Sequence, residues 1–332
     1  MIRRFAFAIG ALVVLAGAGC AAPGPTPTPV ATPLTVGLGY LPSVQFAQFY
    51  RADKQGYYRD AGLDVTFQNQ IDAQLVPEIA SGQVDIGLSD GTSIIPAVSQ
   101  GIPVKYATTI YAQFPSVVIA RADSGIKTAA DLRGKTVGIP GRYGSSWIML
   151  QALLASVDLT PDDITLKLYP DFSQATALRE GQVQAATGFA NNEPVQLALA
   201  GIETNVLTID EITPLPGQGL TVGSALGSKR AALEAFVAAT LRAMEEITSN
   251  PQLGLDDSIA AVPDLAADRS TQLAILNATV EIWHSPYTVQ HGLGSIDSGA
   301  WTSSIDFMQT LPDLGVSSDL TADQLLTEDL LP

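Results

Sequence analysis

Thr35-Val36-Gly37-Leu38 recurs further along the chain as Thr136-Val137-Gly138-Ile139, and Gly82-Gln83-Val84 recurs as Gly181-Gln182-Val183. Another glycine follows each Gly-Gln-Val, Gly87 or Gly188, and each segment closes on Gly-Ile, at Gly101-Ile102 and Gly201-Ile202. Markers kept in this order mean that two segments share one succession of parts: strand, loop, helix, strand, helix, Gly-Gln-Val strand, loop, helix.

The residues between the markers fit that succession. Apolar, β-branched runs over 34–38, 63–68 and 84–88 read as strands of the first unit, with helices over 44–57, 72–81 and 92–100. In the second unit, strands are expected over 136–139, 164–168 and 183–187, and helices over 145–156 and 174–180. Strands alternating with helices predict an α/β fold, each unit a mostly parallel sheet flanked by helices, with right-handed crossovers. Ligands of open α/β sheets sit beyond the carboxyl ends of the strands. Here those ends are the loops 39–45, 89–93, 140–147 and 188–193, which converge on one cleft if the two units face each other as a clamshell.

From Ala231 the pattern turns helical, over 231–247, 265–283, 299–311 and 322–330, and this tail is expected to pack back on the first lobe. Its return requires two crossings between lobes, read near 120–125 and near 214–222. The lobes then comprise 34–122 plus 220–332, and 123–219.

The first residues are of another kind. Arg3 and Arg4 precede an apolar stretch from Phe5 to Leu15, and then come Ala16-Gly17-Ala18-Gly19-Cys20. A charged start, a short apolar run and small residues make 1–19 a secretory signal peptide. Cys20 is the only cysteine of the 332 residues, and its place after that run marks it for lipidation. Gly17 departs from the leucine usual three residues before such a cysteine, Leu15 being displaced by two. The alternative is plain secretion with cleavage near Ala21 or Ala22. The Pro- and Thr-rich stretch 20–33 forms an extended tether. One cysteine excludes an internal disulfide and any multi-cysteine metal site, and the i, i+7 pair His284 and His291 makes no tight ligand set. No metal and no cofactor are expected. The net charge of −16 argues against nucleic acid, whose phosphates demand clustered Lys and Arg.

Several stretches together carry a family likeness. They are Gly39-Tyr40-Leu41-Pro42, Gly56-Tyr57-Tyr58, the run Glu78 to Gly87, Asp131-Leu132-Arg133-Gly134-Lys135-Thr136-Val137-Gly138, Asn192-Glu193-Pro194, Gly294-Ser295-Ile296-Asp297 with Trp301, and Asp306-Phe307-Met308. With them the chain resembles, over nearly everything after residue 34, the type II periplasmic binding proteins of the thiamine-pyrimidine, riboflavin, sulfonate and nitrate importers. The resemblance implies a monomeric, extracytoplasmic, lipid-anchored receptor that hands a small molecule to an ABC permease driven by a cytoplasmic ATPase. Gly134-Lys135-Thr136 is not itself a nucleotide loop, because it lacks the upstream glycine and precedes a strand.

The loops narrow the ligand. Tyr40, Tyr143, Trp147 and Phe189, with Tyr111 near, offer flat walls for a flat aromatic ligand. Phe46, Tyr111 and Phe114 serve equally well as core residues. Asp90 and Glu193 can accept hydrogen bonds from ring N–H, amino or hydroxyl groups, and each also stands at a helix start, where an acid caps or meets the dipole. Gln45, Ser89, Thr92, Ser145, Ser146, Asn191 and Asn192 are further hydrogen-bonding candidates, whose other use is capping or turn chemistry. Arg142 is the only base in these loops, and an anion reader would need it. Two acids and one base fit a neutral nitrogen heteroaromatic better than a sulfonate or nitrate. Within the resemblance this points to riboflavin, with a thiamine pyrimidine precursor as the alternative and an alkanesulfonate or nitrate after it. The rival of another class is a pyrimidine-synthase-like enzyme, which in that family uses Lys, His and Cys. Both histidines here lie in the C-terminal stretch, no catalytic residue is assigned, and no enzyme is expected.

Overall fold

Two five-stranded sheets account for the repeat. In a computed structural model the structure describes residues 31–69, 74–210 and 212–332. The expected signal peptide, Cys20, most of the tether and the first residues of the helix read over 72–81 lie outside the described residues. The first unit runs β1 (Thr32–Gly37), α1 (Ala47–Lys54), α2 (Tyr57–Asp60), β2 (Leu63–Gln68), α3 (Leu75–Ser81), β3 (Ile86–Ser89), α4 (Gly91–Ser99) and β4 (Lys105–Thr109). The second runs β5 (Ser116–Arg121), β6 (Thr136–Ile139), α5 (Gly144–Ala155), β7 (Thr165–Leu168), α6 (Gln174–Arg179), β8 (Ala185–Phe189), α7 (Glu193–Leu199) and β9 (Thr204–Leu207). The tail follows as β10 (Gly219–Val222), α8 (Ala225–Ser228), α9 (Arg230–Ser249), α10 (Pro251–Ala261), α11 (Arg269–Ile282), α12 (Pro286–His291), α13 (Ser298–Gln309) and α14 (Ala322–Leu325).

The strand orders are β2-β1-β3-β10-β4 and β7-β6-β8-β5-β9. In the first sheet β1 pairs parallel with β2 and β3, while β10 runs antiparallel between β3 and β4. In the second, β6 pairs parallel with β7 and β8, while β5 runs antiparallel between β8 and β9. Each sheet is therefore mixed, parallel but for one strand, and that strand is the one the chain delivers from the other lobe. The first crossing lies over 110–115, not near 120–125, because β5 already belongs to the second sheet. The second lies over 208–218 and ends where β10 enters the first sheet.

Alternation along the strands builds a core on both faces of each sheet. Along β5, Val118 and Ala120 enter one cluster with Val137, Met149 and Leu153, while Val117 and Ile119 enter another with Leu178 and Leu197. The repeated glycines make room for helices. A Cβ on Gly37 would meet Leu75 of α3 at 2.2 Å, and one on Gly138 would meet Gln174 of α6 at 3.2 Å. Gly87 and Gly188 do not share a place. Gly37 stands opposite Gly87 in the ladder, whereas Gly138 stands opposite Ala186.

The helix expected over 44–57 is broken at Gly56 into α1 and α2, and the one over 265–283 starts as a 3-10 turn before Asp268 caps α11 through the Thr271 N–H. The tail packs on the first lobe. Phe236 of α9 lies parallel to Tyr58 at 4.8 Å and to Phe49 at 6.1 Å. Arg51 of α1 reaches Glu246 of α9 through Nε (2.7 Å) and Asp257 of α10 through Nη1 (2.8 Å). On the other face Trp301 of α13 meets Tyr106 of β4 edge-on at 4.7 Å. Truncating Phe236→Ala should cost about 3–5 kcal/mol, the usual range for a buried aromatic. Urea unfolding checks this, and a loss below about 1 kcal/mol would mean that the stack does not hold the tail.

Candidate functional site

The carboxyl ends of both sheets open on one cavity. Its wall takes Gly39 and Tyr40 after β1, Ser89 and Asp90 after β3, Pro140, Tyr143 and Ser145 after β6, and Gly188, Phe189, Asn192 and Glu193 after β8. The loops read from sequence as convergent thus meet. Gln45 and Tyr111 also line the cavity, the latter from the first crossing. Phe46 shares that wall too, and Phe114 is buried in the core of the second lobe.

Thr92, Arg142, Trp147 and Asn191, all expected there, fall outside the wall. Thr92 is buried in α4, where its hydroxyl donates to Asp90 Oδ1 at 2.6 Å. Trp147 packs against the second lobe's core, and the Arg142 guanidinium lies 5.6 Å from its ring centroid. The reason is helical rotation. With α5 starting at Gly144, residues 144–146 face the cavity, and the next residue turns about 100° further, toward the core.

Leu88, Phe172, Gln174 and Gln218 join the wall without having been read from sequence as site residues. Phe172 and Gln174 flank the β7–α6 connection, another carboxyl-end loop that the pattern of β6 and β8 leaves out of view. Phe172 adopts a left-handed backbone (φ 60°), which a bulky residue keeps only when its surroundings hold it. Its ring meets Tyr40 of the first lobe edge-on at 5.7 Å. Gln218 precedes β10, and an antiparallel strand starts at the end where its parallel neighbours finish.

The acids have structural duties. Asp90 caps α4, its Oδ1 accepting from the Ser93 N–H (3.1 Å), the Ser93 hydroxyl (3.2 Å) and Thr92. Glu193 Oε2 accepts from the Phe189 N–H at 2.7 Å and is wedged over Gly188, where a Cβ would stand 2.9 Å from it. The Glu193 residue as a whole is half-buried, and its carboxylate is the part that burial desolvates. Burial raises both carboxyls above their ordinary range, and the hydrogen bonds only partly offset it. Tyr40 is raised too, first by burial and then by the charge of Glu193. Among the described residues of the wall there are two acids and no Lys, Arg or His.

The lobes are joined across the cleft. Asn191, 1% exposed, donates through Nδ2 to Gln45 Oε1 (3.0 Å) and to Thr279 Oγ1 of α11 (2.9 Å). Ser304 of α13 donates to the Pro214 carbonyl in the second crossing.

The raised Glu193 carboxyl gives a pH signature. A carboxyl that is harder to ionise when folded takes stability away as pH rises from its ordinary value through its raised one, and the cost is complete above that. Glu193→Gln keeps an acceptor for the Phe189 N–H without the charge. It should therefore gain in melting temperature over the parent at pH 8 and not at pH 4, and an equal difference at both would contradict the assignment.

Comparison with known proteins agrees with this architecture. Residues 43–253 match the family described as NMT1/THI5 like. The chain is 34% identical over 304 residues, 90% of its length and 86% of the other, to a protein of Chloroflexus aurantiacus named riboflavin-binding protein RibY. It is 29% identical over 165 residues, 49% of its length and 51% of the other, to a Legionella pneumophila protein named 4-amino-5-hydroxymethyl-2-methylpyrimidine phosphate synthase. Among solved structures, the alkanesulfonate-binding protein SsuA of Xanthomonas axonopodis pv. citri, bound to MOPS, superposes with a TM-score of 0.67 at 15% identity, over 89% of this chain and 98% of that one. The chain belongs to the NMT1/THI5-like family and has the fold of the periplasmic binding proteins.

Proposed function

We propose that this protein is the extracytoplasmic, lipid-anchored receptor of an ABC importer, and that it binds riboflavin in the cleft between its lobes and delivers it to the permease. The observation that carries the reading is the composition of the wall: Tyr40, Tyr143, Phe172 and Phe189 beside hydroxyl and amide groups, with acids and no base. Aromatic faces bind a flat ring system by burial and stacking, while a small number of polar groups set its orientation. A sulfonate or nitrate would bring a full negative charge next to Asp90 and Glu193, while the exposed Arg142 stands outside the wall, 5.6 Å from the Trp147 ring centroid. The 34% identity to the protein named RibY supports riboflavin within this chemistry. Anchoring is assigned to Cys20 and export to residues 1–19, on the sequence pattern alone.

Delivery requires the lobes to part, with the crossings over 110–115 and 208–218 as hinges. The cavity measures about 180 Å³. Ligand pockets start at ~300 Å³, so a three-ring ligand enters only a wider cleft. The small cavity also favours the second reading, a thiamine pyrimidine, which is one ring in size. Against a synthase-like reaction, the described wall carries no Lys, His or Cys. His284 Nε2 lies 3.5 Å from Thr248 Oγ1, and His291 stacks on Tyr287 at 4.1 Å.

The test is a titration of the purified, unlipidated protein with riboflavin, followed by flavin fluorescence. Saturable one-to-one quenching, with the flavin recovered unchanged, is expected. Tyr40→Ala should weaken binding about tenfold, the scale of a lost aromatic contact. Absence of quenching together with a calorimetric signal for hydroxymethylpyrimidine would replace riboflavin by the smaller ligand. Conversion of either compound would overturn the receptor reading.

A further inference from the structure

The second unit repeats the first down to the seat over its strand glycine, but the side chain in that seat differs. In the first unit, Leu75 of α3 fills it, fully buried against Gly37 within the apolar core. In the second, the seat over Gly138 holds Gln174 of α6, an amide with only 2% of its surface exposed. Both helices lead into the same Gly-Gln-Val turn, so the two positions correspond. A buried amide in a leucine's place costs stability unless its polar atoms are satisfied.

Only one side of that amide is satisfied. Gln174 Nε2 donates to the Thr187 carbonyl of β8 at 3.1 Å. A carbonyl accepts and cannot donate, so the nitrogen must face it and the oxygen is turned the other way. Gln174 Oε1 is buried and has no hydrogen-bond partner, and Gln174 lines the cavity. Across the cleft Ser89 Oγ, also in the wall and also buried, is unpartnered as well. The anchored amide therefore keeps one unspent acceptor in a residue of the wall, and its complement would be a hydrogen-bond donor on the ligand.

We propose that Gln174 Oε1 is the specificity-determining acceptor for an in-plane ring N–H of the bound heteroaromatic, which in riboflavin is the imide N3–H. The assignment rests on the riboflavin reading above. The neighbours favour the ring over the polyol as the source of the donor. Phe172, two residues earlier, meets Tyr40 edge-on, and Gln174 shares one cavity wall with both. A ligand lacking the donor leaves a buried acceptor unpaired, and this penalises the wrong ligand more than the bond rewards the right one.

The experiment is a ligand–variant cycle: dissociation constants of riboflavin, 3-methylriboflavin and lumiflavin for the parent and for Gln174→Leu. Leucine is the residue that the first unit carries in the same seat, and a melting curve verifies that the variant folds. The parent should prefer riboflavin over the N3-methyl compound by roughly ten- to a hundred-fold. Gln174→Leu should weaken riboflavin and lumiflavin by a similar factor while leaving 3-methylriboflavin unchanged, so that the preference collapses. An equal loss for all three ligands would make Gln174 merely structural and overturn the proposal. A loss confined to riboflavin would overturn it as well, by moving the donor to the polyol. If the parent binds none of the flavins, the riboflavin reading itself fails and this assignment falls with it. Flavin binding by the parent with an undisturbed preference in the variant sinks this assignment alone.

Discussion

Each sheet of this protein is completed by a strand that arrives from the other. β4 ends at the cleft, so the chain enters the second lobe from its cleft side, and β5 must then run away from the cleft, antiparallel to its neighbours. β9 and β10 make the same passage in reverse. Neither sheet is whole without the other half of the chain, and both connections pass the mouth of the cavity. This constraint places Tyr111 and Gln218 in the wall, faces two sets of carboxyl-end loops toward each other, and makes 110–115 and 208–218 the two connections between the sheets.

The chemistry of the cleft follows from how its polar atoms are already engaged. Asp90 gives one oxygen to three donors of its own helix turn, and Glu193 holds the Phe189 amide. Gln45 is tied to Asn191 across the cleft. With those groups committed, the wall offers aromatic surface and few free polar atoms, among them Gln174 Oε1 and Ser89 Oγ. On the proposed reading such a site would discriminate through a small number of fixed acceptors set against flat rings, and a full negative charge would sit beside two buried carboxyls.

Much of this was legible from the repeat. Two copies of Thr-Val-Gly and Gly-Gln-Val locate two sheets, and the strand ends then give the loops that meet at the cavity. The strands β4, β5, β9 and β10 escaped, because they lie outside the repeated markers. With β5 unseen, the first crossing was drawn too late. Trp147 was misplaced for a different reason: a residue in the first turn of a helix faces the cleft or the core according to a rotation that its loop composition does not reveal, and Arg142, in the loop before that helix, follows the Trp147 ring instead of the cavity. Gln174 was visible only as a helix residue. The signal that could have found it was its alignment with Leu75, a polar residue where the other copy keeps a core leucine. Cys20 and the leader remain readings of the sequence.

The account's central claim is that the cavity between the sheets is a receptor site for a flat heteroaromatic vitamin. A crystal structure of the protein grown with riboflavin tests it most directly. The account predicts isoalloxazine density between the lobes, against Tyr40 and Phe172, with the polyol directed along the cleft. Flavin density elsewhere on the surface, with the cavity between the sheets left unfilled, would contradict it.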